Sequence, residues 1–115
     1  MAVDIAQRRR EHVDLLESEL PRLVEGLKAM GASLIVLFGS FPAGRRDLFT
    51  DLDILAVIES DIPFIQRLGE TYQRLAPEVQ ADILVYTPEE FEEMKQRPFV
   101  RRALATGEVV YARPG

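Results

Sequence analysis

The sequence lacks cysteine altogether and has a single histidine among its 115 residues. The absence of cysteine excludes disulfides and thiolate metal sites, and one histidine makes neither a metal cluster nor a catalytic triad. The apolar runs are far too short to span a bilayer, and the N-terminal stretch MAVDIAQRRR has no apolar segment of the signal-peptide kind. We therefore expect a cytoplasmic protein that is not bound to a membrane.

Positive charge is also scarce, because 14 lysine and arginine residues stand against 19 aspartate and glutamate residues, a formal net charge of −5. An acidic chain is poorly suited to a broad nucleic-acid footprint, so we expect no DNA binding. The basic clusters, Arg8–Arg10 and Arg45–Arg46, are small. The chain could still bind an anion locally through backbone amides, a few arginines or a metal ion.

The chain length and the pattern of apolar residues predict one compact α/β domain over residues 1–115. Short apolar runs predict a small mixed sheet of about four strands, at Ser33–Phe38, Asp51–Glu59, Val79–Tyr86 and, along an edge, Glu108–Ala112. Only a dozen residues without helical periodicity separate the first two strands, so we expect these strands to be neighbours.

Helical spacing of apolar residues predicts the elements that pack on this sheet. The first helix covers Asp4–Met30, where Pro21 either kinks it or begins a second helix. A crossover helix follows over Asp61–Leu75, with Asp61 as its N-cap. Further helices are predicted after Thr87, where Glu90 completes a capping box, and around Phe99–Leu104.

The stretch LFGSFPAGRRDLFTDLDILAV places a Gly-Ser pair after one strand and two aspartates at the start of the next. Because side chains alternate along a strand, Asp51 and Asp53 project to the same side, where their charges repel unless a cation neutralises them. Mg²⁺ suits this pair, since it binds one or two carboxylates and leaves its other positions to water and phosphates. Gly39 would let a ligand approach the backbone, and Ser40 would offer a hydroxyl and an amide to phosphate.

Each half of this pattern also has an ordinary structural interpretation. A lone Asp-x-Asp is often a solvated strand entrance, and a lone Gly-Ser usually marks a turn. The two occur here on consecutive strands, and a further glycine, Gly44, lies in the loop between them. Together they favour a magnesium nucleotide bound between loop and strand.

The motif resembles the signature of the DNA polymerase β-like nucleotidyltransferase superfamily. The signature is a Gly-Ser, a short loop with a further glycine, and then Ser/Thr-Asp-x-Asp, matched here by Gly39, Ser40, Gly44, Thr50, Asp51 and Asp53. The whole chain is similar to the minimal, single-domain nucleotidyltransferases of the MNT type. One departure is Pro42, which stands where many members have alanine.

The resemblance implies a third carboxylate on a later strand, and Asp82 is the candidate in VQADILVY. An aspartate inside a strand is poorly suited to burial without a partner, and a metal would supply one. By the resemblance, Asp51 and Asp53 would hold two Mg²⁺ ions, one of them shared with Asp82, which would also act as general base. Ser40 would contact the terminal phosphates of ATP, as Arg45 or Arg46 could, although a solvated loop arginine is as good an interpretation of each.

The function implied is transfer of an NMP, most simply AMP from ATP, to a hydroxyl. Larger relatives carry helical domains that bind the acceptor, so we expect a second polypeptide or a second copy of this chain to complete the site. In the MNT branch the usual companion is a helical HEPN protein, a toxin that the antitoxin modifies on tyrosine with AMP. Two alternatives stay open at this point: a homodimeric adenylyltransferase for small antibiotic-type molecules, and a non-catalytic antitoxin that neutralises its partner by contact.

Overall fold

The computed structural model describes residues 4–114, so the ends of the predicted domain, residues 1–3 and residue 115, lie outside the described residues. The elements follow in the order α1 Ile5–Ala29, β1 Leu34–Phe38, β2 Leu52–Val57, α2 Phe64–Leu75, β3 Ala81–Tyr86, α3 Pro88–Met94, α4 Pro98–Thr106 and β4 Glu108–Ala112. The predicted α/β fold with a small mixed sheet is confirmed. Within residues 4–114, the helices are all too short or too polar to cross a membrane.

The four strands form one sheet in the order β3-β2-β1-β4. Strand β1 is antiparallel to both β2 and β4, whereas β2 and β3 are parallel and are joined by the crossover helix α2. As predicted, β1 and β2 are neighbours and β4 lies at an edge. The register places Asp53 opposite Phe38 on one side and opposite Asp82 on the other.

The two faces of the sheet are covered by different helices. Helices α1 and α2 cover the first face, whose core contains Leu16, Leu23, Leu27, Ile35, Ile54, Ile83 and Val85. Helices α3 and α4 lie on the second face, whose core contains Val36, Leu55, Val57, Tyr86 and Val100. Because side chains alternate along a strand, Asp53 and Asp82 belong to the second face, beyond the end of its apolar core.

Helix α1 is continuous through Pro21, so the alternative of a second helix beginning there is wrong. Proline removes one backbone donor from the helix. Pro21 is exposed, while Leu16 before it and Leu23 after it are both fully buried against the sheet. Apolar contacts on both sides of the proline therefore hold the chain in one helix.

Of the two helix caps predicted from the sequence, one is confirmed and the other is wrong. The capping box at α3 is confirmed, since the Thr87 hydroxyl accepts from the Glu90 amide at 3.2 Å and the Glu90 carboxylate accepts from the Thr87 amide at 2.8 Å. The prediction that Asp61 caps α2 is wrong, because the N-cap is Pro63 and no side-chain hydrogen bond caps this end. The carbonyl of Pro63 accepts the first helical bond, from the Arg67 amide at 2.8 Å.

Candidate active site

Three aspartates meet where β2 and β3 begin. Asp51 immediately precedes β2, Asp53 is the second residue of β2, and Asp82 is the second residue of β3. Each offers a carboxylate oxygen, and these oxygens all lie within 4.8 Å of one another. The parallel register that pairs Asp53 with Asp82 is therefore what brings a residue 29 positions away in sequence to the Asp-x-Asp pair.

The cluster is electrostatically uncompensated. Partial burial, followed by the charges of Asp51 and Asp82, raises the pKa of Asp53 from 3.8 to about 6. Among residues 4–114, no lysine, arginine or histidine forms an ion pair with any of the three carboxylates. Hard carboxylate oxygens at this separation are the ligands that Mg²⁺ prefers, and a cation would offset the repulsion. The three side chains thus fit a divalent cation.

Gly39 follows β1 immediately and lies beside Asp53 of this cluster. Its backbone has a φ of +81°, in the left-handed region, and a Cβ atom placed on it would collide with the carboxylate of Asp53. The sequence motif predicts that Gly39 lets phosphate approach the backbone, and this role remains a prediction. The structure adds a second reason for glycine here, because any side chain at this position would displace Asp53.

The two arginines of the loop that follows β1 contact other residues of the same loop. The Arg45 guanidinium forms an ion pair with Asp47 at 2.8 Å. The Arg46 guanidinium lies 3.7 Å from the centre of the Phe41 ring and donates to the Phe41 carbonyl oxygen at 2.6 Å. Gly44 supplies a turn, with a φ of +100°. In this conformation Arg45 and Arg46 stabilise the loop, and a contact of either one with phosphate remains a prediction, as it does for Ser40 and Gly44.

His12 fixes the segment that leads into Asp51, a role that the sequence does not reveal. Its Nε2 atom lies 2.7 Å from the carbonyl oxygen of Thr50, which is 38 residues away. The Thr50 hydroxyl is bonded to Asp47, both through the Asp47 amide at 3.0 Å and through its carboxylate at 3.2 Å. Helix α1 and the loop therefore hold Thr50 from two directions, immediately before the first aspartate.

Tyr72 fixes the free edge of β3 on both sides of Asp82. Its hydroxyl donates to the Ala81 carbonyl at 2.8 Å and accepts from the Ile83 amide at 2.7 Å. In the sequence Tyr72 belongs to the apolar face of α2. Its hydroxyl group is the one feature that indicates a hydrogen-bonding role in addition to packing. The bonds hold the backbone that carries Asp82 at the register needed to face Asp53.

A cavity of about 760 Å³ opens beside Asp53 and Asp82. Part of its wall comes from α4, and Gly39 stands at its edge; the full lining is Phe38, Gly39, Asp53, Leu68, Tyr72, Asp82, Ile83, Leu84, Phe99, Arg102, Ala103 and Thr106. This volume is within the range of small-molecule and cofactor sites, about 300–1,000 Å³. The acidic cluster therefore adjoins a space large enough for a nucleotide.

A scan of known protein families finds no match for the chain, and a search of curated proteins finds none either. Solved structures do match. A toxin–antitoxin crystal structure with AMP-PNP is 21% identical and superposes with a TM-score of 0.55, over 80% of this chain and 72% of that one.

Two other solved structures match more loosely. A mutant of the toxin–antitoxin MntA–HpeT is 21% identical over 90% of this chain and 71% of that one, with a TM-score of 0.44. A tri-AMPylated Shewanella oneidensis HEPN toxin with MNT antitoxin gives 19% identity over 95% and 73%, with a TM-score of 0.39. Both TM-scores are below 0.5, too low to establish a shared fold. The first match confirms the resemblance at the level of the fold: the chain has the fold of a toxin–antitoxin protein crystallised with AMP-PNP.

Proposed function

We propose that the protein is a magnesium-dependent nucleotidyltransferase that transfers AMP from ATP to a hydroxyl group of a protein partner. The observation that carries the proposal is the cluster of Asp51, Asp53 and Asp82, whose oxygens lie within 4.8 Å of one another. A domain that acted by contact alone would gain nothing from three adjacent carboxylates whose repulsion no cationic side chain within residues 4–114 offsets by ion pairing.

The reaction requires one P–O bond to form and one to break. The acceptor oxygen attacks the α-phosphorus, the bond to the β-phosphate oxygen breaks, and pyrophosphate leaves with the electron pair. Asp51, Asp53 and Asp82 would hold Mg²⁺, which when bound supplies positive charge to the attacking and leaving oxygens. We assign the role of general base to Asp82, because it is the exposed member of the cluster and could accept the proton of an incoming hydroxyl.

The identities of donor and acceptor rest on different observations. The solved chain of the same fold was crystallised with AMP-PNP, which supports an adenine nucleoside triphosphate as donor. That protein is also a toxin–antitoxin, which supports a protein partner. A HEPN-type toxin with an acceptor tyrosine is the partner that the sequence resemblance implies. The exposure of Asp82 agrees with an acceptor that arrives from another surface.

The test is co-expression of the chain with a HEPN-type protein, followed by intact-mass and peptide mass spectrometry. We expect the partner to gain the mass of one or more AMP units on a hydroxyl residue. The gain should disappear with Asp82→Ala and persist with Glu92→Ala, an exposed acidic residue of α3. An unmodified partner, together with efficient modification of a small aminoglycoside-like acceptor by the chain alone, would contradict the proposal.

A further inference from the structure

Helix α4 presents one side of its surface to the cavity beside the aspartates. Phe99, Arg102 and Thr106 recur at spacings of three and four residues and all line the cavity. The same helix also supplies Val100 and Ala103 to the apolar core of the second face. The nucleotidyltransferase motif accounts for the loop and the aspartates but assigns nothing to α4.

Phe99 is an aromatic ring with an open surface. It is 61% exposed although it belongs to a packed helix, and it touches Phe38 edge to face, with ring centroids 5.7 Å apart. Phe38 is the register partner of Asp53, so this aromatic pair adjoins the acidic cluster. An open ring beside a cavity is a surface on which a planar base can stack.

Arg102 adds a positive charge to the same wall. Within residues 4–114 it forms no ion pair, although it shares a cavity with Asp53 and Asp82. The rest of the lining is largely apolar, with Leu68 and Leu84 among its members. Such a lining suits a base better than a chain of phosphates, because burial of charged groups among apolar side chains is unfavourable.

We propose that α4 forms the nucleoside-binding wall of the site, with Phe99 stacking on the base of the nucleoside triphosphate and Arg102 contacting its phosphate nearest the sugar. This inference rests on the proposed function, since it names how the donor of that reaction is held. It assigns the cavity to the donor nucleotide and leaves the acceptor to approach over the exposed side of Asp82.

Calorimetric titration with two probes, ATP and inorganic tripolyphosphate, both with Mg²⁺, separates base from phosphate recognition. We expect Phe99→Leu, which keeps apolar volume but removes the ring, to weaken ATP binding about tenfold and leave tripolyphosphate binding unchanged. Phe99→Tyr should restore ATP binding. Ile65→Ala, a similarly exposed apolar position on α2 outside the cavity lining, is the matched control.

The charge on the wall is tested in the same titrations. Arg102→Gln should weaken both probes, whereas Arg101→Gln, the neighbouring exposed arginine outside the cavity lining, should weaken neither. If the wild type binds both probes and Phe99→Leu binds ATP as tightly as the wild type, the inference is wrong while the proposed function stands. A wild type that binds neither probe overturns both.

Discussion

The charged side chains near the two ends of strand β3 differ in whether they have a partner of opposite charge. At its first residues, Asp82 joins Asp51 and Asp53 without a cationic partner within residues 4–114. At its far end, Arg67 of α2 is only 6% exposed and pairs with Glu90 of α3 at 2.6 Å. Arg67 also donates to the Val85 carbonyl at 2.8 Å and to the Ile62 carbonyl, so its guanidinium is fully engaged.

The pKa shifts show the same contrast. The hydrogen bonds from Arg67 lower the pKa of Glu90, whereas burial and two neighbouring carboxylates raise the pKa of Asp53 to about 6. The fold therefore pairs a cation with a carboxylate beside this sheet, where Arg67 of α2 joins β3 and α3. The three aspartates, which have no cationic partner in the described part of the chain and lie beside a cavity, are the carboxylates whose charge a bound ligand could neutralise.

The largest expected effect is on AMP transfer and follows substitution of the aspartates where β2 and β3 begin. Asp53→Asn or Asp82→Ala should reduce AMP transfer at least about a thousandfold, because each removes a ligand of the proposed cation from a site that would work through positioned charge. Glu90→Gln, which changes a carboxylate of the compensated end, should keep transfer close to the wild-type rate per folded molecule. Radiolabelled ATP and the co-purified partner give both rates. Transfer by Asp82→Ala within tenfold of the wild type would contradict the assignment.

The next effect is on stability and comes from the compensated end. Arg67→Met should lower the free energy of unfolding by about 3 kcal/mol, because it removes the cation that pairs with Glu90 and the side-chain donor to two carbonyl oxygens. Arg101→Met, at an exposed position on α4, should change it by no more than about 0.5 kcal/mol. Urea denaturation measures both variants. A loss below about 1 kcal/mol for Arg67→Met would show that the network does not hold these elements together.

The pH dependence of stability should have opposite signs at the two ends in metal-free protein. The pKa of Asp53 is raised in the folded state, so the folded state binds extra protons between about pH 4 and 6, and ionised Asp53 destabilises it above that range. Asp53→Asn should therefore stabilise the protein by about 1 kcal/mol at pH 7, after allowance for solvent screening, and not at all below pH 4.

Glu90 supplies the contrasting case. Its folded-state pKa is lowered, so its ionised form stabilises the fold above the ordinary value of 4.5, and this contribution is lost as pH falls through the folded-state pKa. Glu90→Gln should thus be less stable than the wild type at pH 7, with a difference that shrinks in acid. Thermal melts from pH 3 to 8 in EDTA compare the variants. Stability changes of the same sign at pH 7 would refute the contrast.

The smallest expected effect concerns Tyr72. Tyr72→Phe keeps the ring on α2 but removes the hydroxyl that bridges the Ala81 carbonyl and the Ile83 amide. We expect cation affinity to fall about threefold, because Asp82 is held less firmly, while the cavity keeps its shape. Titration with Mn²⁺ followed by electron paramagnetic resonance measures this affinity. Unchanged affinity, together with lowered stability, would limit Tyr72 to covering the edge of the sheet.

The strands of the sheet and the Gly-Ser and Asp-x-Asp motif could be predicted from the sequence because both depend on local patterns. Apolar runs identify the strands, and β4 was placed at its observed bounds, Glu108–Ala112. Helix ends were less accessible: Asp61 has the chemistry of an N-cap, yet the helix begins later because Pro63 takes that position. The continuity of α1 through Pro21 depends on burial of leucines against the sheet, which periodicity alone does not measure.

Parts of the site depend on contacts between residues far apart in sequence, and these could not be predicted. His12 touches Thr50 and Tyr72 brackets Asp82 only because helices α1 and α2 cover the first face in a particular register. Asp82 was predicted as the third carboxylate from the family resemblance, since an aspartate in a strand does not indicate which residue of the neighbouring strand it faces. The collision that a side chain at Gly39 would make with Asp53 likewise requires coordinates.

The central claim is that the three aspartates bind nucleotide through a divalent cation. Isothermal titration with AMP-PNP tests it most directly, with wild type, Asp53→Asn and Glu90→Gln each measured in Mg²⁺ and in EDTA. The account predicts binding by the wild type and Glu90→Gln in Mg²⁺ only, and no binding by Asp53→Asn, whose thermal melt in the same buffer checks that it is folded. Binding of equal affinity in EDTA, or undiminished binding by Asp53→Asn, would contradict it.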